Sequence, residues 1–242
     1  MLGPYLTADD YMDSDVAYLL GMLFGRGTLF EQGDVRRLVV TLHIRRTLPK
    51  LPPDTPVLDM DLELENERSL NGVRRRINNL LDANVDIAPV RRGETALTAV
   101  FVKPTIGWRD LKALVCDGHD RADFKLPDSF FQFPRPIKEE FVRGFADVAV
   151  TPSWADNERN TYARVAFPVV HANLIFARQL ERLLEALGTQ PHFLEGSPRT
   201  RRGKREHRIR MRADAYEGVG FGFDHKNRLL RILADWNRQR PR

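Results

Sequence analysis

Leu19-Leu-Gly-Met-Leu-Phe-Gly-Arg-Gly27 and Phe141-Val-Arg-Gly-Phe-Ala-Asp-Val-Ala149 are two apolar nonapeptides interrupted by glycine, with Gly21 and Gly144 standing 123 residues apart. Val16, Ala17, Leu19, Leu20, Leu23 and Phe24 give the first a wide apolar surface at helical spacing, and Asp13 or Ser14 can cap it. Glycine disfavours a helix by about 1 kcal/mol relative to alanine. Gly21, Gly25, Gly144 and the small Ala146 therefore suggest helices that another backbone approaches closely.

Outward from these helices the chain repeats one order of elements. After the first, Thr28 onward and Arg36–Arg45 flank a turn at Gln32-Gly33-Asp34 and read as a hairpin. Leu38, Val40, Leu42 and Ile44 share one face of its second strand, with Arg37, Thr41, His43 and Arg45 on the other. Residues 69–82 read as a helix, residues 85–103 as a hairpin turning at Arg91-Arg92-Gly93-Glu94, and residues 108–115 as a closing helix. Residues 118–136, rich in Pro, Asp and Phe, read as a linker. Helix, strand, helix and hairpin then return over 137–212, and a helix at 227–236 ends the series. The predicted fold is α+β: two pseudo-symmetric αββαββα repeats over 1–117 and 137–242, joined by 118–136.

The chain has 242 residues, 29% of them charged, and a net charge of +5. Residues 199–212 hold Arg199, Arg201, Arg202, Lys204, Arg205, Arg208, Arg210 and Arg212 against Glu206 alone, so this segment carries +7 and the rest −2. A basic ribbon on a near-neutral body points to a polyanion partner. In Arg208-Ile-Arg-Met-Arg212 the arginines alternate with apolar residues, which puts them on one strand face. The single cysteine, Cys116, excludes an internal disulfide and a cysteine-based zinc site. No apolar run approaches the roughly 18 residues of a membrane span. The acidic opening lacks the basic flank and apolar core of a signal peptide, so a cytoplasmic protein is expected.

The two nonapeptides resemble the LAGLIDADG motif of homing endonucleases, in the single-chain, two-motif form. The resemblance implies that the motif helices pack together, that the strands form saddle-shaped antiparallel sheets, and that double-stranded DNA lies across them. It implies a monomer, associated with the nucleoid when bound. The DNA-facing candidates are Arg37, His43, Arg45, Arg91, Arg92 and Arg164, together with the basic residues of 199–212. Four hairpins basic on the same side are expected.

Cleavage in that family needs divalent metal held by an acid near the end of each motif. Here Arg26 and Ala149 occupy those positions, and neither ligates Mg2+. Asp147 is the one acid inside a motif, two residues early and about 200° away around the helix. Asp147 and Arg26 are the catalytic candidates, the first also as a packing or capping group and the second as a phosphate ligand. Asp59, Asp61, Glu63 and Glu65 would share one face if that segment were a strand, where they could gather a metal or block edge pairing. Glu206-His207 could do acid–base work, and Asp224 suits a helix start. Sequence-specific DNA binding without the usual metal site is the first reading. It would suit a regulator or the recognition subunit of a larger assembly. An active homing or restriction endonuclease, using Mg2+ through relocated residues, and an RNA-binding splicing helper are the alternatives.

Overall fold

A computed structural model describes residues 12–43, 49, 51–52, 55, 59–81, 84–91, 94–101, 106–154, 162–197 and 205–240. The first half runs α1 (Ser14–Arg26), β1 (Gly27–Gln32), β2 (Val35–His43), α2 (Leu62–Leu81), β3 (Asn84–Arg91), β4 (Glu94–Phe101) and α3 (Ile106–Leu114). The second runs α4 (Arg135–Ala149), β5 (Ser153–Trp154), β6 (Ala163–Val170), α5 (Leu174–Ala186), β7 (His192–Ser197), β8 (Glu206–Arg212), α6 (Ala213–Tyr216) and α7 (Asp224–Arg238). Each half builds a four-stranded antiparallel sheet, ordered β1-β2-β4-β3 and β5-β6-β8-β7. The second strand of each opening hairpin thus pairs with the last strand of the next in both halves.

The halves meet at α1 and α4. A Cβ on Gly21 would lie 2.7 Å from the Phe145 amide nitrogen, and closer still to the Phe141 carbonyl oxygen. A Cβ on Gly144 would lie 2.9 Å from the carbonyl carbon of Tyr18. Each glycine therefore seats against the residue three positions before the other glycine, as a two-fold relation requires. One turn on, Gly25 faces Phe145, Val148 and Ala149, so the helices run parallel. Asp13 caps α1 by accepting from the Asp15 and Val16 amides at 2.8 Å. β1 starts at Gly27, directly after α1, and β5 starts four residues after α4. Both sheets therefore spring from the same end of the helix pair and form the saddle.

An aromatic cluster fills the junction. Phe24 contacts Phe124, Phe141 and Phe176, with ring centroids 4.6–5.4 Å apart. Phe130 adds an edge contact to Phe141 at 5.0 Å. Phe124 and Phe130 come from the segment between the halves, so that segment supplies core as well as connection. It is pinned by Asn173, whose amide donates to the Arg121 and Phe124 carbonyls, and by Gln179, which exchanges hydrogen bonds with the Leu126 backbone. The surface rule holds along the strands: Leu38, Val40 and Leu42 of β2 and Val165, Phe167 and Val169 of β6 are buried.

Two local expectations are corrected. α2 begins at Leu62, seven residues before the predicted start, because Asp61 accepts from the Glu63 and Leu64 amides and caps it. The acidic run is therefore mainly a helix start, and its four carboxylates do not line one strand face. Glu65 turns to Arg228 of α7 at 2.6 Å. The helix expected from His171 starts at Leu174, capped by the Asn173 side chain on the Phe176 amide.

Candidate nucleic-acid interface

The helices cover one face of each sheet, and the other is open. On the second sheet, Arg164 of β6 stands opposite Arg212 of β8, Ala166 opposite Arg210, and Pro168 opposite Arg208. Alternation sends Ile209, Met211 and His207 inward and leaves the arginines outside. His207 stacks on His171 at 5.0 Å and its ring meets the His171 carbonyl, while Glu206 stays on the open face. The pair is split across the sheet, as adjacent strand residues must be.

These arginines are not equivalent. Arg212 is held by Asp214 at 3.0 Å and donates to the Asn237 carbonyl. Arg208 approaches Glu206 at 3.5 Å. Arg164 and Arg210 have no carboxylate partner among the described residues. The Nε of Arg210 is buried and unbonded. Burial, then the neighbouring Arg164 and Arg208, lower the pKa of Arg210. Arg205 lies exposed just before β8. Arg199, Arg201, Arg202 and Lys204 lie outside the described residues.

The first sheet differs. Arg37 is exposed on β2, opposite Phe30 of β1 and Val100 of β4. By register the same face also carries Thr28, Val35, Val39, Thr41, Ala88, Ala96 and Thr98, with the polar Gln32, Asp86 and Glu94. Among the described residues, the arginines of the open faces gather on the second sheet, and Arg37 stands on the first. Register explains this, since β3 and β4 bring no basic side chain onto the middle of the face. His43 and Arg91 end strands β2 and β3, and Arg45 and Arg92 lie outside the described residues.

The ends of α1 and α4 lie between the sheets. Arg26 closes α1, half-buried, and Arg121 donates to the Gly25 carbonyl at 3.3 Å. The ammonium of Lys226 sits on the end of α4 and donates to the Ala146, Asp147 and Val150 carbonyls at 3.1, 2.5 and 2.7 Å. The last carbonyls of the helix, of which Ala146 also accepts from the Val150 amide, and the helix dipole both favour a cation there. Asp147 points away from that gap. It is buried, accepts from the Tyr18 hydroxyl at 2.6 Å and the Phe223 amide at 3.2 Å, and faces Gly222. Burial raises its pKa to about 6, against the opposing pull of Lys226 and the Tyr18 hydrogen bond.

No sequence-family profile and no curated protein matches this chain. Solved structures do. A variant of the homing endonuclease I-DmoI, solved with its target DNA and manganese, aligns with a TM-score of 0.50 at 14% identity, covering 90% of this chain and 99% of that one. Full-length DUF199/WhiA from Thermotoga maritima aligns with a TM-score of 0.51 at 14% identity, covering 98% of this chain. The chain spans 63% of that protein's length. The fold is that of the LAGLIDADG homing endonucleases.

The LAGLIDADG fold raises the question of a divalent metal between the motif ends. The donors there do not fit one: Arg26 is cationic, Ala149 has no donor atom, and Asp147 is committed to Tyr18 and Phe223. Among the described residues no group of three or more His, Cys, Asp and Glu is placed to hold a metal. Sequence reasoning missed Lys226 and Arg121, whose roles come from elements distant along the chain. A lysine at the start of α7 carried no local sign of capping α4. The glycine positions, Gly21, Gly25 and Gly144, were found from sequence and are where the helices touch, with Ala146 buried beside them.

Proposed function

We propose that this protein binds double-stranded DNA sequence-specifically across the open faces of its two sheets. The observation that carries the reading is Arg210: a half-buried guanidinium flanked by Arg164 and Arg208, with a buried Nε that no acceptor among the described residues satisfies. Cations crowd together at a cost unless an anion lies against them. Phosphate oxygens and guanine edges supply the acceptors, and arginine's fork matches both. A two-stranded ribbon fits the major groove of B-DNA, and the narrow major groove of A-form RNA does not admit it. One chain supplies both sheets, so it acts as a monomer, in the cytoplasm where DNA is accessible. The role is recognition, as a regulator or with a partner subunit, since the motif ends lack metal-binding acids.

The test is a salt titration of the full chain on a duplex selected from random DNA. Affinity is expected to fall steeply between about 50 and 200 mM salt. Replacing Arg164 and Arg210 together with alanine should lower the log–log slope by about two, one for each lost phosphate contact. Salt-independent affinity, or tighter binding to a duplex RNA competitor, would overturn the reading. Incubating the selected duplex with Mg2+ should leave both strands intact.

A further inference from the structure

The helix side of the molecule carries a cleft between α2 of the first half and α7 of the second. The buried Tyr18 and Val73 stand at its base, and Gly222 and Phe223 close one end. Its volume is about 610 Å³, within the range of small-molecule sites, which favour junctions between structural units. The walls are two helix stripes. Glu65, Arg68, Gly72 and Arg76 recur at three- and four-residue spacing on α2, as do Asp224, Arg228 and Arg231 on α7. No residue of the open sheet faces lines this cleft.

Arg68, Arg76, Arg228 and Arg231 face the cleft, against the carboxylates of Glu65 and Asp224. The arginines are committed to different degrees. Arg76 is held by Asp15 and by Glu140, and lies over the Tyr18 ring. Glu65 meets Arg228 at 2.6 Å, and Arg68 reaches the same Glu65 only at 3.5 Å. The exposed Arg231 has no carboxylate partner among the described residues. Three arginines from two helices thus gather around one acid, which Arg228 already neutralises. Asp224 belongs to the first turn of α7, where the helix dipole favours a carboxylate, one turn before Arg228. The N-cap of α7, Phe223, offers no side-chain acceptor to the first amides. Gly72 is an independent sign. Glycine is a poor helix former, and no close packing demands it here, since a Cβ would meet nothing within 4 Å. Its effect is to keep the cleft open between Arg68 and Arg76.

We infer that this cleft binds a small phosphorylated anion of diphosphate size, held between Arg68 on α2 and Arg228 and Arg231 on α7. Guanidinium forks match phosphate oxygens, and a diphosphate offers acceptors to both walls at once. A ligand that joins α2 to α7 adds a second tie between the halves, besides the α1–α4 seam. The site stands independently of the DNA-binding reading, because a duplex on the open faces does not reach it.

The experiment titrates inorganic diphosphate into the full chain without DNA, by calorimetry, with thermal unfolding as a second readout. Saturable binding that raises Tm is expected, and sodium chloride of matched ionic strength should not reproduce it. Arg68→Ala and Arg231→Ala should each weaken binding about tenfold, since each removes a hydrogen bond to a charged group. Gly72→Leu should fill the cleft and abolish binding in a chain that circular dichroism shows to be folded. Replacing Arg164 and Arg210 together with alanine strips cations from the open face and should leave diphosphate binding unchanged. A nucleoside diphosphate run beside the inorganic one separates two sources of the same chemistry: tighter binding assigns the ligand to the nucleotides, and equal binding to the free anion. Absence of diphosphate binding overturns the proposal. So does binding that survives the Arg68 and Arg231 substitutions or Gly72→Leu, or that disappears with Arg164 and Arg210.

Discussion

Replacing Gly21 with alanine adds one methyl group at the crossing of α1 and α4. That methyl would overlap the Phe141 carbonyl oxygen and stand 2.7 Å from the Phe145 nitrogen, where ordinary contacts begin at 3.4 Å, so the helices must part by well over 0.7 Å. The obstacle is backbone, which cannot swing aside as a side chain does. A gap of about 0.5–1 Å forfeits a quarter to a half of each dispersion contact it opens. The ring contacts of Phe24 with Phe141, which bridge the two helices, lie in its path. Overpacking a core costs about 1–3 kcal/mol, and alanine's better helix propensity returns about 1 kcal/mol. At a seam that joins both halves the upper end applies, and a net loss of about 2 kcal/mol is expected. Gly72 in α2 is the control, because a Cβ there meets nothing within 4 Å. Gly72→Ala should stabilise by about 0.5–1 kcal/mol through helix propensity alone. Urea unfolding followed by circular dichroism measures both. A chain of this size loses about 2–4 °C in Tm per kcal/mol, so Gly21→Ala should melt about 4–8 °C lower. Gly144→Ala should behave likewise, since its Cβ would meet Tyr18 and Met22 backbone. A Gly21→Ala protein as stable as the parent would refute the close helix pairing on which the fold rests.

Asp147 and His225 make opposite contributions to stability over one pH window. The folded-state pKa of Asp147 is raised to about 6, so its protonated form favours folding and stability falls as pH rises from 4 to 6, by ~3 kcal/mol at 1.36 kcal/mol per unit. Burial and Lys226 push His225 down to about 4, so its contribution is lost as pH falls from about 6.5 towards 4. Asp147→Asn should leave only the second effect, and unfolding free energy should then rise steeply from pH 4 to 6.5; a curve parallel to the parent's would contradict the burial of this acid. Lys226→Met removes the cation from three carbonyls at the end of α4 and should cost about 1–3 kcal/mol, measured by the same unfolding assay. It should also move the Asp147-linked transition to higher pH. Asn237 exchanges hydrogen bonds with both backbone groups of Ala163 at 2.8 Å and donates to Asp214; Asn237→Ala should destabilise by about 2–4 kcal/mol, and hydrogen exchange should quicken at β6.

What the amino acids determined alone were the features set by neighbours in the chain. The Asp13 cap, the glycines facing along α1 and α4, and the alternation of Arg208, Arg210 and Arg212 each depend on residues within about two turns or one strand. Repetition of that local order at a spacing of 123 residues was enough to suggest the two-fold fold. One local signal misled: Asp59 to Glu65 alternates like a strand, and Asp61 instead caps a helix. Only the tertiary structure decided which strands share a face, because register between β2 and β4 depends on pairing residues more than fifty positions apart. That register gathers Arg164, Arg208 and Arg210 on one face and sets Arg37 between Phe30 and Val100 on the other. Tertiary packing also set the state of Asp147 and the place of Lys226. Their charges respond to groups brought near by the fold, and Coulomb energy and desolvation depend on distance in space rather than position along the chain.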